Sequence, residues 1–346
     1  MKGKIRDFLR YCENTDFGKN TLSKKESAFY QRFNNEMLSL CRSLPESAQT
    51  DSVLFLMRYS GVNLGDAQDF FANYYAPIWS ILYWLRRSDC LSVKQLTEED
   101  VTNAVSAQSM AMFLHALDDH LTDNQLSASP LTLMLRTEAW MIMDRAFSNL
   151  SENVTAGVRT VRSFVDDYYS SSQDSKGLKS LDSYCDLFRR RMAILMIAPI
   201  LLSMKMTGIS DFTRDIEIAY GSFGIAWRLL DDIRDIDEDI EKGAETSIYL
   251  CLPERLRTYW KSRVVRTGAT AGAAKKAILI YIFESKIIYD IKKRICQELE
   301  TAASIVEAHN ITRLAREFRC LGHPLMNNGI DQEERHGRSG ISHNSK

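Results

Sequence analysis

Only six prolines occur in 346 residues, so little interrupts long helices. Alternating strand patterns are also missing, and sheets are not expected to organise the fold. The formal net charge is −1, without the basic excess of a general nucleic-acid or acidic-membrane binder. Seven cysteines (Cys12, Cys41, Cys90, Cys185, Cys251, Cys296 and Cys320) form no CxxC and no Cys/His ligand spacing. They read as free thiols of a reducing, cytoplasmic setting, not as a disulfide framework. The stretch MKGKIRDFLRYCENTD has no apolar core of a signal peptide. The longest apolar run, MAILMIAPILLSM at 192–204, is too short to span a bilayer and fits a buried helix.

What is present is helical periodicity. Hydrophobic residues make up 45% of the chain, enough for a sizeable core. Apolar spacing of period 3.6 predicts helices near 26–44, 64–88, 98–123, 130–150, 153–171, 180–205, 210–240, 252–265, 270–306 and 309–320. Thr97 with Asp100 reads as a capping signal, and Gly208 with Ser210 as a break and restart. SSSQDSKG at 170–177 reads as a short linker. One helical domain is expected over 1–322. The polar stretch 323–346 has little to bury and is expected to be disordered.

Two acidic clusters break this pattern. WRLLDDIRDIDEDIEKG carries six acidic residues in the nine positions from Asp231 to Asp239. Asp231, Asp232 and Asp235 make a DDxxD, whose four-residue spacing puts Asp231 and Asp235 on one helix face. FLHALDDHLTDNQ gives Asp118, Asp119 and Asp123, with Asp119 and Asp123 again four apart. Both clusters end apolar amphipathic runs, so both load carboxylates onto a helix carboxyl end, where the macrodipole opposes them. One such end is ordinarily a solvated face. Two of them, in an all-helical chain, point to cations held between them. Carboxylates without Cys or His ligands favour Mg²⁺, which completes its shell with water and substrate phosphate. An apolar cavity between the two ends would accept a hydrocarbon.

The segment YGSFGIAWRLLDDIRD resembles the second aspartate-rich motif of trans-isoprenyl diphosphate synthases, the polyprenyl synthetase family. Gly221, Gly224, Trp227 and the three aspartates match; Arg228 stands where that family usually has Gln. LHALDDHLTD is similar to the family's first aspartate-rich motif. In YCDLFRRRMAILM, Arg191 stands seven residues after Tyr184, where the family has a Lys that contacts the allylic diphosphate. The resemblance covers about residues 65–300. It implies the class I isoprenoid synthase fold, an all-α bundle of long antiparallel helices around a central cavity. It further implies three Mg²⁺ held by Asp118, Asp119, Asp123, Asp231, Asp232 and Asp235, with a prenyl diphosphate as substrate. A homodimer is compatible with it.

The departures concern the second substrate. Elongating synthases carry Gly-Gly-Lys-Arg early in the fold and an Arg pair after the first motif, both for isopentenyl diphosphate. The corresponding segment here, FFANYYAPIWSILYW at 70–84, has no basic residue, and neither has NQLSASPLTLML after Asp123. Arg86 and Arg87 lie too far along the chain to replace that clamp. The expected chemistry is ionisation of one allylic prenyl diphosphate of about C10–C20, catalysed through Asp118, Asp119, Asp231 and Arg191. Arg190, Arg228 and Lys242 are candidates to join Arg191 on the diphosphate. Phe113, Trp227, Phe223 and Trp79 are candidates for the hydrocarbon wall. The cation would then cyclise, eliminate or pass to an atypical acceptor, as in a terpene synthase. The alternatives are condensation with isopentenyl diphosphate and a catalytically idle regulatory paralogue.

Overall fold

The computed structural model describes residues 2–62, 69–87, 95–173, 178–208, 210–262 and 271–327. Sixteen helices and no strand occur among these residues. They are α1 (Lys2–Glu13), α2 (Lys24–Ser43), α3 (Glu46–Tyr59), α4 (Pro77–Arg87), α5 (Glu98–Thr122), α6 (Pro130–Ser151), α7 (Gly157–Gln173) and α8 (Leu181–Arg191). There follow α9 (Ala193–Thr207), α10 (Asp211–Arg234), α11 (Ile236–Lys242), α12 (Ser247–Cys251), α13 (Glu254–Lys261), α14 (Ala271–Glu284), α15 (Ile287–Ala308) and α16 (Thr312–Asn327).

The apolar run 192–204 is buried throughout, mostly within α9. Both α5 and α10 pack against α9, α5 also against α6, and α10 against α15, which carries α16 on its other side. Burial of helix faces on all sides of α9 supplies the stabilisation that helical propensity alone cannot. Among the described residues no helix is long and apolar enough to cross a membrane, and the six described cysteines are free thiols; Cys90 lies outside the described residues.

Several helix ends follow local signals. Thr97 caps α5 by accepting from the Asp100 N–H (3.1 Å), and the Asp100 carboxylate accepts from the Thr97 N–H (2.9 Å). Gly208 closes α9 at φ +76, where only glycine is unstrained, and Ser210 caps α10. Other boundaries differ from expectation. The helix expected over 64–88 begins only at Pro77; residues 69–76 are irregular, and 63–68 lie outside the described residues. The helices α1 and α3 lie outside the expected segments. Helix α7 runs on to Gln173 through the expected linker, whose positions 174–177 lie outside the described residues. The polar tail does not start at 323: α16 continues to Asn327, and Leu325 is buried. Residues 328–346 lie outside the described residues.

The helix expected over 180–205 breaks at Met192, between α8 and α9. Across the interface, a Cβ at Gly224 would lie 3.0 Å from Met192 Cγ. Gly221 likewise faces the Arg189 side chain at 3.2 Å. The two motif glycines therefore let the α8–α9 corner seat against α10, which brings Arg191 beside Arg228.

Candidate active site

The carboxyl ends of α5 and α10 open into one cavity of about 800 Å³. Asp119 enters from α5, Asp231 from α10, and Asp235 from the junction of α10 and α11; Arg191 and Arg228 line the same space. Trp79, Trp227, Tyr74 and Tyr75 form an aromatic wall, with the Trp227 ring meeting Tyr74 and Tyr75 edge-on at 5.5 and 5.9 Å.

Burial dominates the electrostatics of these groups. Burial pushes the Asp231 carboxyl up to about 6, against the opposing pull of Arg228 and with Asp235 and Asp232 adding to it. Burial and Glu238 raise Asp235 as well. Arg191 is lowered by burial and by the neighbouring Arg228 guanidinium. Its Nε makes one long bond, to the Ser171 carbonyl at 3.4 Å. Two guanidiniums close enough to disfavour each other mark a position where an anion would be stabilised.

The six expected metal ligands do not behave alike. Asp119, Asp231 and Asp235 line the cavity. Asp123 caps the end of α5 and is exposed, within electrostatic reach of Arg191 and Lys242. Asp118 points elsewhere. Successive helix residues diverge by about 100°, and Asp118 binds Arg136 of α6 through both carboxylate oxygens (2.5 and 3.1 Å), with the Tyr168 hydroxyl at 3.4 Å. Asp232 is 1% exposed and saturated. It accepts from the Tyr184 hydroxyl (2.9 Å) and the Ser247 N–H (2.9 Å) and pairs with Arg228 Nε at 3.0 Å. It anchors the α10 end to α8 and α12 instead of facing the cavity.

The wall and diphosphate candidates divide in the same way. Trp79 and Trp227 line the cavity. Phe113 and Phe223 lie behind it, against Tyr59 (6.3 Å) and Trp227 (6.2 Å). Arg190 is not a lining residue, and Lys242 pairs with Glu238 at 2.6 Å. Arg86 pairs with Glu98 at 2.6 Å and Arg87 covers the Tyr83 ring, both away from the cavity.

Other lining residues carried no sequence signal as site residues: Asp16, Lys19, Tyr30, Tyr59 and Asp69. They come from irregular segments or from helices remote in sequence, so no spacing rule joins them. His120 lines the cavity and shares a hydrogen bond with the Tyr59 hydroxyl (2.8 Å). His115 also lines it, and burial lowers its pKa, so it is neutral near pH 7.

The donor set suits Mg²⁺. Among the described residues Asp119 and Asp235 form no ion pair with a cationic side chain, and Asp231 pairs with Arg228 at 3.3 Å. Among the described residues no group of three or more potential ligands is gathered tightly enough to hold a metal alone.

No protein-family model and no curated protein matches this sequence. Solved structures do. Heptaprenyl diphosphate synthase from Staphylococcus aureus matches with a TM-score of 0.64 at 11% identity, over 88% of this chain and 99% of its own. Geranylgeranyl pyrophosphate synthase from Corynebacterium glutamicum gives 0.63 at 13% identity, over 93% and 98%. This chain has the isoprenyl diphosphate synthase fold. A third structure with this fold, polyprenyl synthase from Caulobacter crescentus complexed with calcium and isoprenyl diphosphate, gives 0.58 at 12% identity over 91% and 97%.

Proposed function

We propose that this protein is a Mg²⁺-dependent enzyme that ionises an allylic prenyl diphosphate and transfers the prenyl group to a second substrate. One observation carries the reading: Asp119 from α5, Asp231 and Asp235 from α10 and its junction, and the guanidiniums of Arg191 and Arg228 all line a single aromatic-walled cavity. The similar structures support transfer over cyclisation, since those described above are named as prenyl or polyprenyl diphosphate synthases.

Each group has a role that follows from its setting. Asp119, Asp231 and Asp235, with Asp123 at the rim, would hold the Mg²⁺ ions. When bound, Mg²⁺ would supply Lewis-acid stabilisation of the leaving diphosphate. Arg191 grips that diphosphate, and Arg228 adds positive charge while tying Asp231, Asp232 and Tyr184 together. Trp79, Trp227 and Tyr74 exclude water from the allylic group and turn ring faces and edges toward the cation that forms. Asp232 holds the end of α10 and touches no substrate.

Incubation with C10, C15 and C20 allylic diphosphates and Mg²⁺, with and without isopentenyl diphosphate, tests the reading by mass spectrometry. Expected is pyrophosphate release that excess EDTA abolishes. Release undiminished in EDTA, or none with any of these substrates, would refute it.

A further inference from the structure

The irregular segment before α4 reaches the same cavity through Asp69, Asn73, Tyr74 and Tyr75. Its charge is the reverse of what a second diphosphate needs. No lysine or arginine occurs between Arg58 and Arg86. Asp69 is instead a fixed carboxylate. Its Oδ1 accepts from the Tyr30 hydroxyl (2.6 Å) and from the Phe71 N–H (3.2 Å), and Oδ2 takes part in neither bond. Burial and the Asp69 charge hold the Tyr30 hydroxyl in its protonated, donating form. The Tyr30 ring packs on Trp79 with centroids 4.9 Å apart, and both line the cavity. Two further cations line the cavity, Lys19 and Arg234. Arg234 is on the last turn of α10 beside Asp231 and Asp235 and reaches the Tyr75 hydroxyl at 3.4 Å, which in turn donates to Asp16 at 2.5 Å. An anion set beside Asp69 would meet the carboxylate that the Tyr30 phenol holds. A neutral ring carrying a donor hydrogen would meet an acceptor and an aromatic wall.

We infer that this end of the cavity binds an uncharged aromatic acceptor with an O–H or N–H group, held by Asp69, and that this acceptor receives the prenyl group. The inference rests on the prenyl-transfer reading above. In the step, the C1–O bond of the allylic diphosphate breaks and its electron pair leaves with the diphosphate. A lone pair or ring π-pair of the acceptor forms the new bond to C1. The acceptor's proton passes to the Asp69 carboxylate and from there to solvent, so charge and atoms balance without a further reactant.

The test uses the full chain with Mg²⁺, geranyl, farnesyl or geranylgeranyl diphosphate, and phenol, indole or isopentenyl diphosphate in parallel. Released pyrophosphate and product masses are both measured. The expected result is prenylated phenol or indole, with Asp69→Asn lowering the ratio of adduct to released pyrophosphate at least tenfold. That ratio is internal to each preparation, so partial loss of folded protein does not imitate the effect. Asp69→Glu should recover part of the ratio. Efficient formation of an elongated diphosphate, pyrophosphate release without any adduct, or an unchanged ratio in Asp69→Asn would each overturn the inference. Absence of pyrophosphate release from every allylic diphosphate would instead refute the prenyl-transfer reading on which it stands.

Discussion

At the scale of single residues, adjacent aspartates have opposite duties. Asp119 faces the cavity and Asp118 faces Arg136; Asp231 faces the cavity and Asp232 is buried in a network of its own. Asp119→Asn and Asp231→Asn are therefore expected to lower pyrophosphate release a hundredfold or more, with little change in thermal unfolding. Asp118→Asn should lower release less than tenfold while costing about 1 kcal/mol of stability, because its pair with Arg136 is partly open to solvent. Comparable activity losses in all three variants would contradict this division. The DDxxD and DDxxxD spacings make the clusters legible in the sequence, since residues four apart share a helix face. Which of two neighbouring carboxylates turns inward depends on Arg136, Tyr184 and Ser247, partners 18, 48 and 15 residues away, and no local pattern reveals them.

A second residue-scale consequence lies outside the site. Glu317 of α16 is buried, accepting from the Ser80 hydroxyl and from Trp84 Nε1 (2.6 Å) of α4. Burial pushes its carboxyl up to about 7 from an ordinary 4.5, although both hydrogen bonds act the other way. A carboxyl raised by folding favours the folded state while protonated. Its contribution is full below about pH 4.5 and is lost as the pH rises toward 7, at about 1.4 kcal/mol per pH unit or up to about 3 kcal/mol in all. Glu317→Gln keeps one acceptor and carries no charge. It should melt higher than the parent at pH 8 and no higher at pH 4.5. A difference independent of pH would show that Glu317 does not titrate in this range.

At the scale of elements, the cavity depends on close approaches that glycine permits. The irregular stretch between α1 and α2 lies along the rim, and Gly18 is wedged against α16: its N–H donates to the Leu321 carbonyl (3.0 Å), and a Cβ would fall 2.1 Å from the Cys320 carbonyl oxygen. Backbone cannot yield as a flexible side chain can. Gly18→Ala is expected to lift this segment from α16 at a cost of about 1–3 kcal/mol, measured by denaturant unfolding; an unchanged midpoint would place the segment's anchor elsewhere. Nothing near Gly18 in the sequence discloses this contact, because its partners lie near the other end of the described chain, at Cys320 and Leu321. The break at Met192 is equally hidden, since the apolar pattern of 180–205 runs straight through it. By contrast, α5 and α10 carry their own signals in Thr97, Asp100 and Ser210, and their starts are legible for that reason.

At the scale of the whole molecule, the two carboxylate sets lie more than 100 residues apart in sequence, on helices joined chiefly through their common packing on α9. A ligand that bridges them ties the α5 half of the bundle to the α10 half. Mg²⁺ takes one or two protein carboxylates and draws its other ligands from phosphate and water. Pyrophosphate alone meets Arg191 and Arg228 but also the repulsion of Asp119, Asp231 and Asp235. Together each neutralises what opposes the other. Binding to the folded state raises stability by RT ln(1 + [L]/Kd), about 2.7 kcal/mol at a hundredfold excess over Kd. The melting temperature should therefore rise clearly with Mg²⁺ plus pyrophosphate and little with either one. In Arg191→Ala the joint shift should shrink without a matching fall in the unliganded melting temperature. The joint shift should also weaken below about pH 6, where protons compete for Asp231. Equal shifts from pyrophosphate with and without Mg²⁺ would mean that the anion binds the arginines directly and that the aspartates hold no cation.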